Sequence, residues 1–224
     1  MIPALDEERG LEGVLAALPR GTLRTIVVVD NGSVDRTADV ARAAGARVVR
    51  EPRRGYGAAC LAGLAALRPR PPEAVVFLDA DGSDDPADLP ALLAPLLAGE
   101  ADLVIGSRVR GAREAGALAP LQVFGNRLAA VLLWALYGAR TSDLGPFRAV
   151  RWQALEALGM RDRDYGWTVE MQARAARAKL RVVEVPVRYR RRTHGHSKVA
   201  GTLRGAVGAG WKILFTLARV RLGG

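Results

Sequence analysis

The sequence predicts an α/β fold with a mostly parallel central sheet, flanking helices and an amphipathic helix at the C-terminal end. Strand-like and helix-like segments alternate over the first hundred residues, which is the pattern of repeated β-α-β units. Several strand-like segments are continuous apolar runs, as expected for strands covered on both faces. The chain has 224 residues and half of them are hydrophobic, which suffices for one domain with a sizeable core.

The first half of the chain supplies four predicted strands and three predicted helices. The strands are TIVVVD (25–30), ARVVRE (46–51), AVVFLD (74–79) and ADLVIGSR (101–108). The helices cover 31–45, which begins with a turn, then 55–68, and 86–99, which has a proline in its first helical turn. Ligands bind beyond the carboxyl ends of the strands in such sheets. Asp30, Asp79 and the turn at 106–108 follow strand ends, so we expect them along one crevice.

The second half of the chain is less regular. It contains an apolar helix at 121–137, a short strand at 145–150, a helix at 165–179, a strand at 180–189, a basic loop at 190–198 and a helix at 199–220. Pro186 cannot donate a hydrogen bond to a neighbouring strand, so 180–189 is predicted at the sheet edge. Neither an internal repeat nor a linker is evident, which predicts a single domain over 1–224.

Composition narrows the class of partner. The formal net charge is +10 and aromatic residues make up 5% of the chain. The charge favours an anionic partner, whereas the few aromatics and the lack of a reading motif argue against nucleic acid. Cys60 is the only cysteine, which fits a reducing compartment. We expect no signal peptide, because Met1 is followed at once by IPALDEER, and no spanning helix, because no apolar run approaches about 20 residues.

The segment VVFLDADGSDDP (75–86) brings four carboxylates to one strand end. Asp79 and Asp81 suit a hard divalent cation, Mg²⁺ or Mn²⁺, whose coordination a diphosphate would complete. The alternative is a set of turn-forming carboxylates. Asp162 and Asp164 have the same spacing in a polar context, and we interpret them as a solvated loop.

Two further motifs have competing interpretations. Asp30 ends a strand beside the predicted crevice, where it could accept hydrogen bonds from a base or ribose, or serve as a turn and cap residue. The basic loop RRRTHGHSK is either a phosphate-binding segment or a solvated or membrane-facing patch. His194 and His196 lack partner ligands in the sequence, so a histidine metal site is not expected.

Six motifs together resemble a known family. They are IPALDEE, VVVDNGSVDRT, VVFLDADGSDDP, DLVIGSR, DLGPFRAV and RTHGHSK, in this order. These motifs, in this order, resemble those of the family 2 glycosyltransferases of GT-A fold. Within that family, the chain resembles the polyprenyl (dolichyl) phosphate mannosyl- and glucosyltransferases. The resemblance covers residues 2 to about 212. It divides the domain into a nucleotide-sugar half (1–110), an acceptor half (111–198) and the C-terminal helix (199–224).

The resemblance implies a role for individual residues. Those implied to bind the nucleotide sugar are Pro3, Leu5, Glu7, Asp30, Asp79 and Arg108. Asp79 and Asp81 would hold Mg²⁺ or Mn²⁺ with the diphosphate, and Asp85 is a weaker candidate beside them. Arg192 and Lys198 would face phosphate groups, as arginine and lysine commonly do.

The implied reaction is an inverting transfer of a hexose from a nucleotide sugar of the UDP-glucose or GDP-mannose type. Polyprenyl phosphate is already an anion, so its oxygen needs cationic positioning rather than a base. Arginines and a lysine lie in suitable regions, namely Arg127, Arg148, Arg192 and Lys198. A hydroxyl acceptor would need a general base, for which Glu170 and Asp143 are the candidates. Outside catalysis, Glu170 would be a helix-surface residue and Asp143 a cap; a non-catalytic nucleotide-binding module is a further alternative.

A lipid acceptor also predicts contact with an anionic membrane at its cytoplasmic face. An apolar stripe runs along the last helix, formed by Val199, Leu203, Val207, Trp211, Leu214 and Ala218. Lys212 and Arg219 share another face, from which they could reach headgroups. The helix at 121–137 could add a second contact. The alternative is that the stripe packs on the domain itself. The oligomeric state cannot be predicted from this sequence.

Overall fold

The structure is a computed structural model that describes the backbone of residues 1–192 and 203–223, and the side chains of 1–192 and 210–223. Its strands are β1 (Ile2–Ala4), β2 (Val27–Asp30), β3 (Arg47–Arg50), β4 (Ala74–Phe77), β5 (Leu103–Ser107), β6 (Arg148–Arg151) and β7 (Val182–Pro186). Its α-helices are α1 (Glu8–Ala17), α2 (Thr37–Ala43), α3 (Tyr56–Leu67), α4 (Leu89–Leu97), α5 (Pro120–Tyr137), α6 (Trp152–Leu158), α7 (Trp167–Arg177) and α8 (Leu203–Arg221).

The strands form two hydrogen-bonded groups that meet at β1 and β4. The first group has the order β1-β2-β3 with parallel pairing, and the second has the order β4-β6-β5-β7. The groups join where the Leu78 amide donates to the Met1 carbonyl. β5 and β7 are parallel, whereas β6 is antiparallel to β4 and to β5. The predicted mostly parallel sheet is confirmed, with β6 as its antiparallel member.

Individual elements largely follow the sequence prediction. β7 lies at the sheet edge and ends at Pro186, as its missing amide hydrogen requires. The strand predicted at 145–150 is observed as β6, a few residues later. Helix α6 was not predicted. Its seven residues are fewer than the window over which helical periodicity becomes clear.

Apolar side chains cover both faces of the sheet. Val104 of β5 belongs to a cluster with side chains of α1 and α4, such as Leu15 and Leu92. The next residue, Ile105, belongs to a second cluster that includes Met171 of α7. Successive residues of a strand point to opposite faces, so the sheet is buried on both sides. Polar side chains therefore gather where the strands end.

Helix α8 is attached to the domain by apolar packing. Leu217 of α8 packs with Leu133 of α5 and Val169 of α7, and all three are fully buried. The Tyr137 hydroxyl also donates a hydrogen bond to the Leu217 carbonyl. The face of α8 that packs on the domain is thus a different face from the described part of the predicted stripe, where Trp211 is 71% and Leu214 is 43% exposed. Val199 and the side chains of Leu203 and Val207 lie outside the described residues.

The interpretation of Asp162 and Asp164 as a solvated loop was wrong for Asp162. Asp162 is 1% exposed, and its carboxylate accepts hydrogen bonds from the amides of Asp164 and Gly166. Its Oδ2 lies 3.2 Å from Nζ of Lys212 and 3.7 Å from Nη2 of Arg219. The expectation that these two cations reach membrane headgroups was therefore also wrong, because they face a buried carboxylate of their own chain.

The outward faces of α5 and α8 are apolar. Large exposed side chains on α5 are Leu121, Val123, Phe124, Leu128, Val131, Trp134 and Leu136, and those on α8 are Trp211, Leu214 and Phe215. Within the described ranges, no helix is both long enough and apolar enough to cross a bilayer.

Candidate functional site

A cleft of about 840 Å³ lies beyond the carboxyl ends of β1, β4 and β5. It is where an open α/β sheet is expected to bind its ligand. The sequence-predicted residues that line it are Pro3, Leu5, Glu7, Asp79, Asp81, Arg108 and Arg192. The fold therefore brings together acidic and basic side chains that are up to 185 residues apart in the sequence, as Glu7 and Arg192 are.

The turn after β4 holds four carboxylates. Asp81, Asp84 and Asp85 are buried, and Asp79 is half-buried with its Oδ1 enclosed. Oδ1 of Asp79 and both carboxylate oxygens of Asp84 accept no hydrogen bond within the described part of the chain. Burial, followed by the nearby Asp81 carboxylate, raises the pKa of Asp79 to about 7. Burial and then Asp79 raise the pKa of Asp84 well above its usual value. Such crowding of like charges is typical of a cation-binding turn.

Helix α1 approaches this turn very closely at Gly10. A Cβ atom at Gly10 would lie 2.8 Å from the Ala80 carbonyl oxygen, a distance that side-chain carbons do not reach. The turn itself is closed by the Ser83 amide, which donates to Oδ1 of Asp81 at 2.9 Å. The glycine thus allows the first turn of α1, and the adjacent Glu7, to stand beside Asp81.

An arginine segment, residues 188–192, runs along the other side of the turn. The Arg190 amide donates to the Ser83 carbonyl at 2.8 Å. Alternate arginines then pair with acidic residues of the turn, Arg188 with Asp88, Arg190 with Asp85 and Arg192 with Asp81. Asp85 and Asp88 are thereby neutralised by arginine, and so the carboxylates available to a ligand in the cleft are those nearest to β4.

Arg192 makes two contacts inside the cleft. Its Nη2 lies 2.8 Å from Oδ2 of Asp81, and its Nη1 donates to Oε1 of Glu7 at 2.6 Å. Burial works against the charged guanidinium, but the Asp81 and Glu7 carboxylates outweigh it and raise the pKa of Arg192. Lys198, the second predicted cation of this segment, lies outside the described residues, as do His194 and His196.

Asp143 holds Arg108 rather than lining the cleft. The Arg108 side chain donates from Nε and Nη2 to the two oxygens of Asp143, at 2.8 and 2.6 Å. The Arg108 guanidinium also stacks on the Tyr189 ring, 5.0 Å from its centroid. Burial disfavours the charged guanidinium, but its hydrogen bonds to Asp143 raise the pKa of Arg108 overall. A fully buried carboxylate in a bidentate ion pair is poorly placed to remove a proton from a substrate.

Glu170 is likewise engaged inside the protein. It is fully buried, and its Oε2 accepts hydrogen bonds from the amides of Arg161 and Asp162. Its Oε1 pairs with Arg174 at 2.9 Å and with Arg219 of α8 at 3.2 Å. The surface interpretation of Glu170 is therefore wrong, because its oxygens anchor α7 to its neighbours, and its role as a general base stays a prediction.

Two other predicted residues lie behind the cleft wall. Asp30 is 3% exposed, and its Oδ1 accepts a hydrogen bond from the Ser33 amide at 2.9 Å. This supports the turn interpretation of Asp30. Arg148 is fully buried and donates to the carbonyls of Leu144, Gly145 and Thr168, so its expected role in positioning an acceptor is wrong.

Comparison with known proteins decides the family. A family model described as Glycosyl transferase family 2 matches residues 1–156. The chain belongs to glycosyltransferase family 2. The predicted class of enzyme, a transferase of glycosyl groups, is confirmed by this match and by the names of its relatives.

Three similar proteins illustrate the range of the family. An uncharacterized glycosyltransferase of Mycobacterium tuberculosis is 45% identical over 222 residues, which cover 96% of both chains. The undecaprenyl-phosphate mannosyltransferase of Micrococcus luteus is 34% identical over 225 residues, covering 92% of this chain and 88% of that protein. Glucosyl-3-phosphoglycerate synthase of M. tuberculosis, crystallised with Mn²⁺, UDP and glucosyl-3-phosphoglycerate, has a TM-score of 0.76 and 26% identity, covering 99% and 78% of the two chains. These likenesses confirm the predicted GT-A fold.

The residues of the cleft fit a divalent cation. Asp79 contributes a buried oxygen that accepts no hydrogen bond from the described residues, and Asp81 lines the same cleft. Within the described ranges, no group of three or more acidic, histidine or cysteine side chains could hold a metal by itself. A cation on this pair of carboxylates would thus take its other ligands from water and a bound diphosphate. The synthase above has been crystallised with UDP and Mn²⁺ and with UDP and Mg²⁺.

Several cleft residues were missed by sequence reasoning. Asn31, Arg54, Tyr56, Gln122 and Tyr189 all line the cleft. Asn31 had a usable signal, since it directly follows a strand end. Its amide group donates to the carbonyls of residues 51 and 53 and accepts from the amide of residue 55, which fixes the loop before α3. The tyrosines and Gln122 come from loops and helices whose packing the sequence does not reveal.

Proposed function

We propose that this family 2 glycosyltransferase moves a hexose from a nucleoside diphosphate sugar to the phosphate of a polyprenyl phosphate. The observation that carries the proposal is the position of α5. Gln122 in its first turn lines the cleft, and exposed apolar residues beside it, such as Leu121 and Phe124, begin a surface that continues along the helix. A charged cleft that opens onto an apolar surface suits an acceptor with an anionic head and a hydrocarbon tail.

The donor half of the cleft is assigned from charge and position. Pro3, Leu5 and Glu7 would surround the base and ribose, with Asp30 shaping the wall behind them. Asp79 and Asp81 would hold Mg²⁺ or Mn²⁺, which when bound neutralises the charge of the diphosphate leaving group. Arg108, fixed by Asp143, would meet the same phosphates from the opposite side.

The acceptor half needs cations more than it needs a base. A phosphate monoester oxygen is already anionic, and Arg192 with Lys198 would position it for in-line attack on the anomeric carbon. The contacts of Glu170 and Asp143 support this choice, because both carboxylates are buried and hydrogen-bonded to their own chain. A hydroxyl acceptor would require one of them to be released before it could accept a proton.

Contact with a membrane follows from a lipid acceptor. The phosphate of a polyprenyl phosphate lies at the headgroup level, so the cleft must approach the bilayer. The outward faces of α5 and α8 carry tryptophans at 134 and 211 that are 60% and 71% exposed, and tryptophan is favoured at membrane interfaces. We therefore propose a peripheral location on the cytoplasmic face of an anionic membrane, with no nucleic acid partner.

A soluble phosphorylated acceptor is the second candidate. It is favoured by the similarity to glucosyl-3-phosphoglycerate synthase, whose crystals contain phosphoglyceric acid. The cationic acceptor side of the cleft would also suit such a molecule. The two candidates differ in what they require of the apolar surface on α5, which a soluble acceptor would not use.

One experiment separates the candidates. Purified protein is incubated with radiolabelled UDP-glucose or GDP-mannose, each with undecaprenyl phosphate, undecaprenol or 3-phosphoglycerate, with Mn²⁺ or with excess EDTA. We expect label in the lipid fraction with undecaprenyl phosphate and Mn²⁺, and none with undecaprenol, which has the tail without the phosphate. Transfer to 3-phosphoglycerate alone would overturn the lipid-acceptor proposal.

A further inference from the structure

The Arg192 guanidinium is paired with the Asp81 carboxylate, which a metal ion would need as a ligand. Both oxygens of Asp81 are engaged: Oδ1 accepts from the Ser83 amide at 2.9 Å, and Oδ2 lies 2.8 Å from Nη2 of Arg192. The second arm of the same guanidinium reaches Glu7. Arg192 thus fastens the end of the arginine segment across the donor side of the cleft.

A divalent cation and this guanidinium would repel each other if both were bound to the same carboxylate oxygen. Mg²⁺ binds its oxygen ligands at about 2.1 Å, and a divalent cation so close to Oδ2 would bring a second positive centre close to Nη2. Asp81 is 7% exposed, so water screens that repulsion only in part. The Ser83 amide holds Oδ1 in place and closes the turn, which leaves Oδ2 as the oxygen for which the two cations compete.

We propose that Arg192 and the divalent cation are alternative partners of Asp81, so that metal binding with the donor releases the guanidinium for an anionic group. This inference rests on the proposed function, since it takes Asp81 as a metal ligand. It adds that the cationic group proposed for the acceptor is held back until the donor side is filled. Glu7 can keep its hydrogen bond from Nη1 of Arg192. The guanidinium would therefore stay at the cleft after it leaves Asp81.

The arginine segment supplies its own control. Arg190 sits two residues earlier and pairs with Asp85 at the same turn, but neither of these residues lines the cleft. A loss of charge at Arg190 changes the general potential near the turn by a similar amount. It leaves the contact between Arg192 and Asp81 in place, so a specific competition can be told from a general charge effect.

The test is a titration with Mn²⁺ alone, with free Mn²⁺ measured by electron paramagnetic resonance at pH 8 and without nucleotide or acceptor. We expect Arg192→Ala to bind Mn²⁺ about fivefold more tightly than the unmodified chain, the effect of one partly exposed ion pair. Arg190→Ala should stay within about twofold of the unmodified chain. Arg192→Gln, which keeps most of the side-chain length, should behave as Arg192→Ala does. Agreement between the two variants would show that the gain does not come from a folding defect in one of them.

The outcomes are distinct from those of the proposed function. Equal or weaker Mn²⁺ binding by both Arg192 variants, or an equal gain in Arg190→Ala, overturns the competition even if sugar transfer to lipid phosphate is observed. Failure of undecaprenyl phosphate as an acceptor, with the Mn²⁺ gain still present, overturns the acceptor assignment and leaves the competition at Asp81 supported.

Discussion

Arg108 and Asp143 form a three-point contact at the inner edge of the cleft. The Arg108 backbone amide donates to Oδ2 of Asp143 at 2.7 Å, and the guanidinium adds two further hydrogen bonds, at 2.8 and 2.6 Å. The Asp143 side chain is fully buried and that of Arg108 is 12% exposed. The carboxylate therefore sets both the backbone position and the direction of the arginine that we propose to face the donor phosphates.

We predict that Asp143→Asn lowers kcat at least about tenfold, with a smaller change in the KM for the donor. The amide cannot accept both guanidinium hydrogen bonds as a carboxylate does, so Arg108 loses its fixed direction. Steady-state kinetics with the active donor measures both constants.

The chain contains a matched control for this variant. Asp102 and Arg181 form the same three-point contact, with a backbone amide at 3.0 Å and side-chain nitrogens at 3.1 and 2.7 Å, on the exposed surface. Asp102→Asn should leave kcat unchanged. An equal loss in both variants would mean that Asp143 acts through general stability rather than through Arg108.

Removal of Asp81 should abolish metal-dependent transfer. Asp81→Ala takes away one of the two carboxylates proposed to hold Mn²⁺, and the apolar clusters stay packed because Asp81 contacts the Ser83 amide and Arg192 rather than a cluster. The measurement is turnover across a range of Mn²⁺ concentrations, together with a thermal melt to verify folding. Asp88→Ala is the control, because Asp88 pairs with Arg188 away from the cleft. Full turnover by Asp81→Ala, or by the unmodified protein in excess EDTA, would refute the metal assignment.

The raised pKa of Asp79 predicts a pH dependence. Burial and Asp81 move this pKa from 3.8 to about 7 in the folded protein, so folding favours the protonated carboxyl. Its stabilising contribution is complete below pH 3.8 and is lost as the pH rises through about 7. The ligand-free protein should therefore lose stability across this interval relative to Asp79→Asn, which urea unfolding at several pH values would detect.

Binding of Mn²⁺ with UDP should show the opposite trend. The cation requires the ionised carboxylate, so its affinity should increase as the pH rises toward about 7. Below that pH, binding should release a proton, measurable by calorimetry in buffers with different ionisation enthalpies. A pH-independent affinity between pH 5.5 and 7.5, values chosen to bracket about 7, would exclude Asp79 as the titrating group.

Strand ends were the part of the site that the sequence predicted well. Asp79, Asp81 and Arg108 follow apolar strands directly, and a strand in a parallel sheet fixes where its last residue lies. The sequence also identified the two segments that contribute Glu7 and Arg192. These positions depend on local pattern and on the order of motifs, both of which are visible in one chain.

The sequence could not predict which charged side chains pair with each other when they are far apart in the chain. Asp162 looked solvated because its neighbours are polar, yet the fold places it under α8, within reach of Lys212. Glu170 has helical spacing typical of a surface residue, but α8 covers it. Charges on an amphipathic helix do not reveal which side faces protein, and here Lys212 and Arg219 of α8 face buried carboxylates beside its apolar contacts.

The inward charges of α8 predict a stability effect. Asp162→Ala should lower the free energy of unfolding by about 2–3 kcal/mol, because it removes a buried acceptor and leaves Lys212 and Arg219 without it. Urea denaturation followed by tryptophan fluorescence gives the value. Asp39→Ala is the control, since its pair with Arg42 is exposed on both sides and should contribute less than about 1 kcal/mol. Similar values for the two variants would contradict the buried network.

The last prediction concerns the apolar surface of α5 and α8. Removal of α8 would be an ambiguous test, because it would uncover buried residues such as Leu133 and Val169. Point variants avoid this difficulty. Phe124→Glu and Trp211→Glu change side chains that are 63% and 71% exposed, so both should fold normally while placing a charge where the bilayer would be.

We expect the unmodified protein to float with vesicles that contain anionic lipid, and each of these variants to remain mostly at the bottom of the gradient. Burial of one such aromatic side chain contributes roughly 2 kcal/mol to association with an apolar phase, and the introduced carboxylate adds repulsion from anionic headgroups. Leu97→Glu is the matched control, a 76% exposed leucine on α4 outside this surface, and it should float as the unmodified protein does. If Phe124→Glu and Trp211→Glu float equally well, or the unmodified protein never floats, the surface of α5 and α8 has another role and the lipid acceptor loses its structural support.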